Sequence, residues 1–66
     1  MRSQDVQLGM LVRVSQLHRR IDYRGQTGVV QQRYGNVEYA AFDIRLLDGH
    51  SELFWHHELD EAQGVH

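Results

Sequence analysis

Arg13, Arg19, Arg20 and Arg24 stand close together in the chain, with His18 and Tyr23 interleaved among them. A guanidinium group is planar, permanently charged and matched to bidentate contact with carboxylate or phosphate. An aromatic ring set between such groups adds a face on which a base or a cation can stack. Two chemistries follow. The first is docking of a partner protein through Arg19, Arg20, Tyr23 and Arg24, anchored by Trp55. The second is neutralisation of RNA or DNA phosphates by Arg13, Arg19, Arg20, Arg24 and Arg33. The plain alternative is a solvated loop in which Asp22 screens its neighbours.

Every basic side chain is Arg and none is Lys. Arg suits stacked and bidentate contacts, although a compositional habit of the genome produces the same preference. Tyr34, Tyr39, Phe42, Phe54 and Trp55 form a second group. Alternation places Phe42 and Phe54 in the core and turns Trp55 the other way, either under the long loop or outward as an anchor. Trp and Arg are the residues most enriched where interfaces bind tightly.

Other chemistry has little to stand on. His56 and His57 lie near Glu58 and Asp60, but neighbours on a strand point apart, and zinc needs three or four convergent donors. His50 and His66 read as solvent-exposed. Cysteine is absent, and Ser3, Ser15, Ser51 and Thr27 lie in no Gly-x-Ser-x-Gly elbow. A monomer this small also lacks room for a pocket of about 300 Å³. No enzyme activity, metal or cofactor is expected.

These side chains must be positioned by short strands. Met10, Val12 and Val14 alternate with Leu11, Arg13 and Ser15 after Gly9, which is the period of a half-buried strand. Val6 and Leu8 precede it as a packed lead-in. Residues 16–26 then form a long loop with Leu17, Ile21 and Tyr23 as its anchors, and loops near this length tend to be functional. Thr27 to Tyr34 is the second strand, with Gly28, Val30 and Gln32 on one face and Val29, Gln31 and Arg33 on the other. Gly35-Asn36 marks a turn, as both residue types tolerate positive φ. Val37 to Leu47 is the third strand, irregular at its start, with Phe42, Ile44 and Leu46 inward. Asp48-Gly49 favours a type I′ turn. Ser51 to Trp55 returns, His56-His57-Glu58 makes a single 3-10 turn, Leu59 enters the core, and Asp60 to Ala62 form the last edge. Residues 63–66 read as frayed.

The 66 residues make one domain, with its core over about residues 9–62. A chain of this size buries only about 60% of its unfolded surface, and its stability is as low as roughly 3–5 kcal/mol. Docking on a partner or on further copies would supplement so small a core. Residues 1–33 hold six Arg against Asp5 and Asp22, whereas residues 34–66 hold Arg45 against seven carboxylates; the formal net charge is −2. A domain built for non-specific nucleic-acid binding has a pI above about 9; here it is about 6.2. No apolar run approaches the roughly 18 residues of a membrane span. The polar opening Met1 to Asp5 has no apolar segment after it, so a cytoplasmic location without membrane contact is expected.

Gly25-x-x-Gly28-x-Val30, after Gly9, Val12 and Val14, resembles the KOW-type segment of SH3-like barrels in ribosomal proteins and transcription elongation factors. The wider spacing, closing on Phe54, Glu58 and Leu59, is similar to the barrels of photosystem I subunit IV, the ferredoxin–thioredoxin reductase variable chain and nitrile hydratase β. Some plasmid-borne dihydrofolate reductases use the same barrel as a tetramer. Their Val-Gln-Ile-Tyr strand has no counterpart, because Glu52-Leu53-Phe54-Trp55 stands in its place. The resemblance implies an all-β, five-stranded SH3-like barrel with a long first loop and a 3-10 turn before the last strand. Three functions accord with it: an accessory subunit or interaction module docking another protein or itself, a KOW-like RNA- or DNA-binding domain, and a homo-oligomer that binds a small ligand at its pore.

Overall fold

The computed structural model describes residues 1–36 and 38–62. Expectations for Val37, which was to open the third strand, and for residues 63–66 lie outside the described residues. The chain is all-β. Strands β1 (Leu11–Val14), β2 (Thr27–Gly35), β3 (Ala40–Leu46), β4 (Ser51–Trp55) and β5 (Leu59–Glu61) form one antiparallel sheet in the order β4-β3-β2-β1-β5. Three single 3-10 turns, Ser3–Asp5, Ile21–Tyr23 and His56–Glu58, complete it. The first and last strands are neighbours, yet the sheet is not closed, because among the described residues β4 and β5 pair only with β3 and β1 respectively. No helix among the described residues is long and apolar enough to cross a membrane.

The core is one cluster drawn from every strand: Val12, Val14, Val30, Ala40, Phe42, Ile44, Leu46, Phe54 and Leu59, with Val6 from the lead-in. Period-two alternation turns these residues to a single face. Burying a Phe such as Phe42 or Phe54 contributes about 2–3 kcal/mol. Gly28 lets β2 lie close on β3: a Cβ there would come within 2.6 Å of Ile44 Cγ2 and 2.7 Å of the Arg45 carbonyl oxygen.

Four expectations need correction. Leu8 is exposed and only Val6 is buried, since the chain turns at Leu8–Gly9 before β1 begins. Tyr23 packs against the core and anchors the long loop as expected, but Leu17 and Ile21 do not: they are 89% and 73% exposed, and His18, at 6%, joins Tyr23 in their place. The simple alternation of β2 fails after Val30, where the register slips so that Val30 faces Ile44 and Gln32 faces Asp43. One extra residue at a bulge inverts the faces beyond it. Arg33 therefore pairs with Phe42, and its guanidinium lies 5.3 Å from the centre of the Phe42 ring.

The Asp48-Gly49 hairpin is not type I′, because no non-glycine residue has positive φ among those described. Gly49 N–H donates to Leu46 O, Leu46 N–H donates to His50 O, and Gly49 alone is left-handed at φ +91°. This is a three-residue loop whose last residue takes the left-handed conformation. At Gly35-Asn36 only the glycine has positive φ; Asn36 Oδ1 instead accepts from the Glu38 and Tyr39 amides.

Candidate functional site

The long loop folds back over the end of the core beside β4 and the His56–Glu58 turn. Two bonds organise it. His18 Nδ1 accepts from the Arg20 amide at 3.0 Å, so the proton of the neutral ring sits on Nε2, which donates to Glu58 Oε2 at 3.1 Å. Glu58 Oε1 accepts from the Trp55 amide at 2.8 Å, and the Glu58 carbonyl accepts from the Ser15 amide at 2.9 Å. One carboxylate thus ties the loop to the turn that follows β4, and the imidazole it holds is almost wholly buried, edge-on to Phe54.

Tyr23 makes the second tie. Its ring meets Phe54 edge-on and stacks on His50, and its hydroxyl donates to Glu52 Oε2. That bond stabilises the Tyr23 phenol and the Glu52 carboxylate together. It is the chief cause of a Tyr23 pKa above the ordinary value and a Glu52 pKa below it. Burial and the Glu52 charge add to the upward shift of Tyr23, and Arg20, 4.9 Å above the ring, opposes it. His50 supports ionised Glu52, with Nε2 3.5 Å from Oε2.

Between the loop and β4 lies a polar cleft of about 170 Å³, walled on one side by Arg19, Arg20 and Tyr23 and on the other by Glu52, Leu53 and Trp55. A more open recess of about 310 Å³ lies beyond Glu58, lined by Ser15, Leu17, His18, Arg19 and His57; the expectation that a single chain has no room for such a volume is corrected, because the folded-back loop leaves an open hollow on the surface and none in the core. Neither Arg19 nor Arg20 has an ion-pair partner among the described residues, whereas both cleft carboxylates are engaged from within the chain. Leu17 and Ile21 on the loop and Leu53 on β4 are exposed, and Trp55, 43% exposed, meets Tyr39 edge-on.

Of the five residues expected to bind a protein partner, the structure brings four, Arg19, Arg20, Tyr23 and Trp55, to one cleft. Arg24 is not among its walls; its Nε donates to the His18 carbonyl and staples the loop. The five residues expected to bind nucleic acid do not share one track. Arg13 sits opposite Thr27 at the start of β2, and Arg33 lies six residues further along it, about 20 Å away at strand rise. Arg33 also donates to the Ser3 carbonyl at the N-terminal turn.

His56 Nδ1 lies against the Met1 carbonyl, and no group of three His, Asp or Glu among the described residues could hold a metal. The bond that sequence reasoning missed is His18 to Glu58. No local pattern in the sequence marks it, because its two partners lie forty residues apart. No protein-family model matches the chain, and no curated protein or solved structure is significantly similar to it.

Proposed function

We propose that this chain is a non-catalytic SH3-like interaction module that docks an acidic, extended segment of a partner protein in the cleft between the long loop and β4. One observation carries the reading: two arginines without ion-pair partners among the described residues, Arg19 and Arg20, share a cleft with Trp55 while the carboxylates of that cleft are already satisfied. A cation at a cleft wall gains most from an incoming carboxylate. Trp55 supplies a large, rigid apolar contact at low entropic cost. The strand order, with the first strand between the second and the last, supports the SH3-like reading.

Selection from a displayed library of random ten-residue peptides tests it. Acidic peptides should be enriched. Their affinity should fall at least tenfold in both the Arg19→Ala/Arg20→Ala double variant and Trp55→Ala, with both variants still folded at the assay temperature by circular dichroism. Enrichment of basic or charge-free peptides, or binding indifferent to these substitutions, would refute the reading.

A further inference from the structure

The two edges of the open sheet are not equivalent. At β5 the Met1 nitrogen donates to the Leu59 carbonyl, so the N-terminal segment covers that edge. At β4 the Trp55 amide is taken by Glu58 Oε1, but among the described residues no backbone group pairs with the edge ahead of it. Leu46 N–H donates to His50 O, which makes Leu46 and His50 a hydrogen-bonded pair. In an antiparallel ladder such pairs recur at every second residue. The pairs Ile44–Glu52 and Phe42–Phe54 are therefore bonded, and the main-chain N–H and C=O groups of Ser51 and Leu53 point away from β3. None of these four groups has a hydrogen-bond partner among the described residues.

An edge with free main-chain groups is a template for another strand, and proteins usually blunt one with proline, bulges or charged side chains. The one charge on β4, Glu52, is held by Tyr23 and His50, and the strand has no proline and no bulge. Leu53, 58% exposed, walls the same cleft as Arg19 and Arg20.

We infer that the free edge of β4 receives the partner's acidic segment as a sixth strand, bonded to the main chain of Ser51 and Leu53, with its carboxylates answering Arg19 and Arg20. This rests on the docking reading above and adds its geometry. Main-chain pairing would supply affinity, and the arginines would select among sequences. A second copy of this chain fits less well. Its β4 offers Glu52 as its one carboxylate, already bonded to Tyr23 and beside His50, and would leave both arginines unanswered.

The test uses the full 15N-labelled chain and a synthetic heptapeptide of alternating glutamate and valine, read by amide hydrogen exchange. At saturation the Ser51 and Leu53 amides should exchange at least fivefold more slowly, with Glu52 and Phe54, already paired, unchanged. Leu53→Pro removes an N–H that β3 does not use and should weaken the peptide at least tenfold. If that variant does not fold, the exchange rates decide alone. Binding that depends on Arg19 and Arg20 but leaves Leu53 exchange unaltered would overturn the sixth strand and spare the docking reading. No binding to this peptide or to any acidic library peptide would overturn both. A dimer by light scattering, with Leu53 already protected in the free chain, would give the edge to a second copy and overturn the inference.

Discussion

His18 Nε2 lies 3.1 Å from Glu58 Oε2, and both side chains are largely withdrawn from water. Forty residues separate them in the chain, so this one bond closes the long loop onto the turn after β4 and sets the width of the cleft. With Oε1 held by the Trp55 amide, Glu58 serves two donors, of which His18 Nε2–H is buried and would otherwise be unsatisfied.

Glu58→Ala should therefore cost about 2 kcal/mol, the loss expected when a buried donor loses a charged acceptor. For a domain of roughly 3–5 kcal/mol that is a large share. Glu58→Gln keeps an acceptor oxygen and should cost about half as much. Urea unfolding followed by tryptophan fluorescence reads both, and an unchanged midpoint in Glu58→Ala would show that the pair holds nothing.

The bond between Tyr23 and Glu52 should make stability fall at both ends of the pH scale. Glu52 has a lowered folded pKa, so its contribution is full above the ordinary glutamate value of about 4.3 and is lost as pH falls through the lower folded value. Tyr23 has a raised folded pKa, so its contribution is full below about 10 and is lost as pH rises through the higher folded value. The 13Cζ shift of labelled Tyr23 should titrate above the ordinary range and move down in Glu52→Gln. Equal midpoints in the two proteins would contradict the assignment.

Gly28→Ala should destabilise by about 1–3 kcal/mol through overpacking, because the added methyl meets Ile44 and the Arg45 carbonyl. Glycine is needed here for space and not for a left-handed backbone. Thermal melting of the variant checks this, and an unchanged melting temperature would mean that β2 and β3 part without cost.

Arg33 and Arg19 should separate stability from binding. Arg33→Ala removes a cation over Phe42 and a bond to the Ser3 carbonyl, so it should cost about 1 kcal/mol and leave peptide affinity unchanged. Arg19→Ala, which removes no side-chain bond or ring contact among the described residues, should weaken acidic peptides and barely move the melting temperature. Calorimetry and thermal melts on the same pair of variants give the comparison.

Strands, turns and core residues were largely legible in the chain because each rests on local rules. Val12, Val14, Phe42, Ile44, Leu46 and Phe54 were placed inside by alternation alone, and β4 and the 3-10 turn His56–Glu58 were placed to the residue. Arg33 was placed on the wrong face because a bulge is a one-residue event that hydrophobicity does not mark. Leu17 and Ile21 were expected to anchor the loop because they are apolar. They lie exposed, and a histidine read among solvated arginines lies buried, because Glu58 and the Arg20 amide together satisfy both ring nitrogens.

Residue order by itself determined an all-β chain of five short antiparallel strands, since period-two patterning and turn residues act between near neighbours. It also singled out Arg19, Arg20, Tyr23 and Trp55. Only the tertiary structure decided that these four share a cleft, that Arg24 and Arg33 are engaged elsewhere, and that the edge of β4 stays open. Those outcomes depend on contacts between residues far apart in the chain, which form when the coiled sheet brings the loop, β4 and the closing turn to one end of the core.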